Sequence, residues 1–176
     1  MTGLLRVARV LARLAAASVA LFIGVAHAET QLSFQVSAAI VKGCVVAASG
    51  ASQLGRIDFG TVAGTTTGTL DAAMVSGGTG GIAIECTPDT DVTVTADMGE
   101  NASGGTRRMK LSGGTGFVAY QLFADGGSTA WTTQALAYRF ATGATRRTLP
   151  IVGRAQLTGA MAAGSYADTV RVTIAW

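Results

Sequence analysis

From residue 29 onward the sequence runs in short stretches where every second residue is apolar, and glycine-rich turns cut the stretches apart. Period two puts successive side chains on opposite faces, which is the pattern of a half-buried strand and not of a helix. The alternation predicts strands at about 32–41, 43–48, 56–59, 69–75, 81–86, 91–96, 107–111, 117–124, 137–141, 150–157 and 168–176. Between them lie SGGTGG at 76–81, TPDTD at 87–91, GENASGG at 99–105, SGGTG at 112–116 and DGGS at 125–128. These supply glycine for positive φ and Asp, Asn or Ser for turn hydrogen bonds. Many short strands so punctuated predict an all-β chain folded as a sandwich, and no linker or change of composition divides it.

The first and last stretches pose one question between them. Leu32, Phe34, Val36, Ala38 and Ile40 share a face of a leading strand-like segment with no obvious partner beside it. In SYADTVRVTIAW, Tyr166, Val170, Val172, Ile174 and Trp176 share a face, with Thr169, Arg171 and Thr173 opposite. With no later strand to cover its free edge, this last stretch needs an earlier strand or another chain.

Residues 1–28 read as a secretory leader. Arg6, Arg9 and Arg13 form the charged region, Leu14 to Val25 the apolar one, and Ala26-His27-Ala28 the small-residue cleavage site. The apolar run is shorter than the roughly 20 residues of a membrane span. Without the leader, ten Lys and Arg face ten Asp and Glu, so the exported chain is formally neutral. It has no general attraction for polyanions, which speaks against nucleic acid as a partner. His27, the single histidine, leaves with the leader. That removes Ser-His-Asp and Cys-His catalysis and histidine-ligated zinc, so the chain is expected not to be an enzyme and to need no cofactor.

Cys44 and Cys86 make an even count in an exported chain and predict a disulfide. Closing that loop is worth about 4 kcal/mol in the chain-entropy view. A metal pair would lack further Cys or His ligands. SGGTGGIAIE runs its glycines into a β-like segment and has no Lys before a helix, so it reads as a turn and not a phosphate cradle. Asp89, Asp91, Asp97 and Glu100 lack calcium-loop spacing and read as solvated turn carboxylates. Arg107, Arg108, Lys110, Arg146 and Arg147 read as a solvated face, with Arg107 on the opposite side of its strand from Arg108 and Lys110. Asn101-Ala102-Ser103 has the form of a glycosylation sequon, a triplet that turn composition also produces by chance. Tyr120, Phe123, Trp131, Tyr138 and Phe140 are assigned to core or sheet-edge packing.

The order of motifs carries a resemblance. An alternating segment ends in Gly43-Cys44; GRIDFG (55–60), IAIECTPD (82–89), FVAYQLFAD (117–125) with Trp131, LPIVGR (149–154) and AGSYADTVRVTIAW (163–176) follow. This set, spanning essentially all of the chain after the leader, resembles the spore coat protein U domain family of archaic, Csu-type chaperone–usher pilus subunits.

The resemblance implies an incomplete immunoglobulin-like β-sandwich completed by a donor strand from a partner. A periplasmic chaperone fills the exposed groove first, and an outer-membrane usher and neighbouring subunits then take part in homopolymer assembly. Pilin donor-strand complementation is a known case of β-augmentation. On this reading residues 1–28 are the signal peptide, 29–37 the donor segment and 38–176 the sandwich domain. Leu32, Phe34 and Val36 fill a neighbour's groove, whose edge is Val170, Val172, Ile174 and Trp176. The Cys44 and Cys86 pair corresponds to the family's early disulfide. With one domain, the chain fits a shaft or adaptor position in a surface fibre for adhesion and biofilm formation. Two other classes remain open: a self-contained secreted or coat sandwich whose leading strand folds back on its own Val170–Ile174 edge, and a ligand-binding sandwich using Trp131 or the arginines.

Overall fold

The computed structural model describes residues 30–47 and 53–176, so the leader and its cleavage point lie outside the described residues. Residues through Ala39 and residues Ile40–Trp176 form two separate units. In the first, Thr30–Ala39 carries no strand, and Leu32, Phe34 and Val36 are exposed.

The second unit contains β1 (Cys44–Ala47), β2 (Arg56–Ile57), β3 (Thr67–Val75), β4 (Ile82–Cys86), β5 (Thr90–Ala96), β6 (Arg107–Leu111) and β7 (Phe117–Ala124). A 3-10 turn at Asp125–Gly127 leads to β8 (Thr129–Ala130), β9 (Leu136–Phe140), β10 (Arg146–Leu149), β11 (Val152–Thr158), β12 (Tyr166–Ala167) and β13 (Val172–Ala175). One large sheet has the order β12-β6-β7-β11-β3-β2, with β8 added beside β7. Two smaller sheets, β1-β4-β10 and β13-β5-β9, complete the all-β architecture. Every pairing between these strands is antiparallel.

Alternation explains how the layers meet. In β7, Val118, Tyr120, Leu122 and Ala124 are buried while Phe117 and Gln121 are exposed. In β5 the same phase buries Thr90, Val92, Val94 and Ala96. Apart from Thr90, these residues join Ile82, Ile84, Phe140, Leu149, Ile151 and Leu157 in one core shared by all three sheets. Cys44 and Cys86 stand opposite each other in the β1–β4 register and are disulfide-bonded, which staples the first strand to its neighbour.

Three expectations need correction. The strand expected over 32–41 is absent: Thr30–Gly43 has no ladder to satisfy its backbone groups, and the sandwich's first strand starts at Cys44. Of the strand expected over 168–176 only Val172–Ala175 forms, in a small sheet; Tyr166–Ala167, just ahead of that range, belongs to the large sheet, and the residues between cross from one to the other. Arg107 is not on a solvated face, since only 3% of its surface is accessible. Three strands fall outside the expected ranges: β12, two residues just ahead of the last one, and β8 and β10, which are short and made mainly of exposed residues and so carry no period-two apolar signal.

Candidate functional site

The broken last stretch and the segment around β2 form the two walls of an open groove. It consists of two adjoining cavities of about 610 and 520 Å³ that share Ile57, Asp58, Phe59, Met109 and Tyr166. Residues 53–64 supply one wall and residues 161–172 the other. The floor is the inward face of the large sheet, with Met109, Val118, Tyr120, Leu122 and Leu157. Volumes of this order match ligand-sized or peptide-sized clefts.

The walls are sheet margins. β2 pairs only with β3, β12 only with β6 and β13 only with β5, so each has one strand neighbour among the described residues. Unpaired strand margins beside apolar side chains favour addition of another strand. At one end the walls meet, where the Met161 amide donates to the Gly64 carbonyl at 3.1 Å. The first wall sits close to the floor because Gly153 of β11 has no side chain. A Cβ there would lie 2.9 Å from both Ile57 Cγ2 and Phe59 Cζ.

A polar clamp shapes the second wall. Asp168 lies where the chain leaves β12, and its Oδ2 accepts from the Tyr120 hydroxyl at 2.7 Å. Its Oδ1 accepts from the Asn101 amide at 3.1 Å and from Asn101 Nδ2 at 2.9 Å. Burial, followed by the carboxylate at its hydroxyl, pushes the Tyr120 phenol well above its ordinary range, so it remains a donor. Gly99 makes room for the carboxylate: its φ is +81° and a Cβ would lie 2.1 Å from Asp168 Oδ2. The Asp97 carboxylate accepts from the Arg171 amide at 2.9 Å, holding the other end of the crossing. These bonds give the crossing residues partners that a continuous ladder would otherwise supply.

Beside Tyr120 in the β6–β7 register, Arg107 points into the core. Its guanidinium donates to the carbonyls of Asp97 at 2.6 and 3.0 Å, Trp131 at 2.7 Å and Thr132 at 2.5 Å. Burial lowers its proton affinity, while Tyr120, Asp97 and Asp168 pull in the opposite direction. Trp131 is 1% exposed and donates through Nε1 to Gln134 O at 3.2 Å. Sequence alternation had the side of Arg107 right and its solvation wrong.

Of the residues expected at the acceptor edge, Val170 and Val172 line the groove. Ile174 packs on the core beyond it, and Trp176 is 59% exposed. The opposite wall, Ile57 and Phe59, was not singled out, although GRIDFG carries the alternation that marks it. Asp89 and Asp91 face Arg139, Arg108 stacks on Phe117 and Arg147 on Tyr138. Asn101, the sequon asparagine, is engaged with Asp168. No group of potential metal ligands occurs among the described residues.

An all-β sandwich with an open, largely apolar groove is the class this fold defines. The sequence model of the spore coat protein U domain matches residues 30–173, and the chain belongs to that family. Among solved structures, it is similar to a chain of the CsuC–CsuE chaperone–tip adhesion subunit pre-assembly complex, from archaic chaperone-usher Csu pili of Acinetobacter baumannii. The identity is 21% and the TM-score 0.52, over 78% of this chain and 40% of that one. The P pilus rod subunit PapA matches at 15% identity and a TM-score of 0.48, over 75% of this chain and 97% of that one. The chain thus spans less than half the length of the Csu chain it matches. No curated protein matches it.

Proposed function

We propose that the protein is a non-enzymatic pilus subunit that polymerises by donor-strand complementation into a surface fibre for adhesion and biofilm formation. The observation that carries this reading is the groove: two sheet margins, Ile57–Phe59 and Tyr166–Val172, stand either side of a largely apolar floor, with no strand between them among the described residues. Residues 29–37 act as the donor segment, and the sandwich follows. Leu32, Phe34 and Val36, exposed in the free chain, enter the groove of a second copy. Burying them contributes roughly 1.5–3 kcal/mol per side chain before ordering costs. Val170 and Val172 form the receiving edge where the groove lies, and Ile174 and Trp176 continue that edge along the same stretch. Donor and acceptor are different surfaces of one chain, so the contact is heterologous and propagates instead of closing.

The leader directs export to the periplasm, a chaperone strand holds the groove until assembly, and an outer-membrane usher places the subunit in the fibre in a shaft or adaptor position. Membership of the spore coat protein U family and the likeness in fold to a Csu subunit support these assignments. Deletion of residues 29–37 is expected to leave chaperone co-purification intact and to abolish polymer ladders. Phe34→Asp should act similarly, because its carboxylate would enter the apolar groove unpaired. Normal ladders from either protein would refute the proposal.

A further inference from the structure

Beyond Met1 the sequence has four methionines, and three of them line the groove. Met109 borders both cavities, Met161 borders the larger and Met74 the smaller. The fourth, Met98, lies outside the groove in the loop between β5 and β6. Met109 and Met161 are half-buried, whereas Met74 is 8% exposed and packs closely on the backbone at Gly55. Thioethers suit a surface that must adapt to an incoming strand, because their side chains are flexible and polarisable. They also bring a chemistry that Leu or Ile would not.

We propose that Met109 and Met161 are oxidation sites that control whether the groove can be filled, an inference that rests on the strand-acceptor reading. While the groove is open, a peroxide reaches the thioether sulfur. A sulfur lone pair attacks one peroxide oxygen, an S–O bond forms, the O–O bond breaks, and proton transfer releases water. Sulfur loses two electrons and the peroxide gains them. The product is a polar, chiral sulfoxide in place of an apolar side chain. An incoming strand would have to cover the new S–O dipole against a floor that includes the apolar side chains of Val118 and Leu157, which cannot donate to it. A filled groove shields the same sulfurs, so oxidation selects subunits not yet assembled. Met74, tightly packed, reacts last.

The test uses the purified protein, hydrogen peroxide and a synthetic peptide spanning the donor segment, residues 29–37. Peptide mass mapping should show oxygen added at Met109 and Met161 before Met74, with prior peptide occupancy slowing the first two and leaving Met98 unchanged. Oxidised protein should bind the peptide roughly tenfold more weakly or worse, and methionine sulfoxide reductase should restore binding. In the Met109→Leu, Met161→Leu double variant, peroxide should not alter whatever affinity the variant starts with. If the untreated protein does not bind the peptide, the strand-acceptor reading fails and this inference with it. Binding that survives sulfoxide formation at Met109 and Met161, or oxidation there that occupancy does not slow, overturns this inference alone.

Discussion

The interior around Trp131 and the interior around Met109 are floored by the same strands, β6 and β7, yet one is filled and the other is open. At Trp131, an indole enters from the loop after β8, and Arg107 ties the loop's carbonyls to the end of β5. At Met109 no comparable side chain arrives among the described residues, and the walls come together where the Met161 amide meets the Gly64 carbonyl. Filling an interior therefore requires apolar volume together with partners for the backbone that brings it there. A loop supplies both in the first region. In the second, a strand would have to supply both, apolar residues on one side and its own ladder along the margins.

The most damaging way to break this contrast is to undo the filled region. Arg107→Ala removes the donors for three carbonyls and leaves a cavity beside Tyr120, so a loss of about 3–5 kcal/mol is expected. Denaturant unfolding measures it, and near-ultraviolet circular dichroism should report Trp131 losing its fixed environment. Arg107→Lys should recover only part of the loss, because an ammonium cannot spread its donors as a planar guanidinium does. A stability change within experimental scatter would mean that the loop is held by Trp131 burial alone.

How much of this was legible in the sequence follows from what alternation encodes. It fixes which side of a strand a residue takes, so β5, β6, β7 and β11 fell close to their expected places and Arg107 was placed opposite Arg108. It does not encode which side is wet. An inward arginine is intelligible only once the carbonyls of Asp97, Trp131 and Thr132 are in view. The break in the last stretch was hidden for the same reason. Asp168 interrupts the apolar face of SYADTVRV, but its partners, Tyr120 and Asn101, lie 48 and 67 residues away in sequence. The disulfide needed only a count of two cysteines. The groove needed topology, because nothing local says that the segment bearing Ile57 and Phe59 faces the one bearing Tyr166.

A smaller effect should sharpen the contrast by altering the open region without filling it. In Gly153→Val, the new side chain would collide with Ile57 and Phe59, and displacing that wall should cost roughly 1–3 kcal/mol. Because residues 53–64 form a groove wall, binding of the donor peptide should fall more steeply than stability does. Thermal unfolding and a binding titration on the same preparation separate the two. Equal losses in both would show that the groove is no softer than the core.

The smallest effect belongs to the outer face of the large sheet, where Asp71 and Arg154 stand opposite each other in the β3–β11 register and neither interior is involved. Arg154 Nε and Nη2 donate to the two Asp71 oxygens at 2.7 Å each, and its guanidinium stacks over Phe123. The hydrogen bond from Arg154 is the main cause holding the Asp71 carboxyl below its ordinary value of 3.8, with desolvation opposing it and direct charge attraction adding to it. A carboxylate with a depressed folded-state pKa stabilises the fold above its ordinary value, and that contribution is lost as pH falls from there through the lowered one. The pair is exposed, so salt and solvent screening should keep the effect within the scatter typical of surface charges. Asp71→Asn should therefore flatten a shallow acid slope in the unfolding midpoint below about pH 4, leaving the midpoint at neutral pH nearly unchanged in high salt. A drop as large as that of Arg107→Ala would show that the outer face, and not the filled interior, bears the stability of this sandwich.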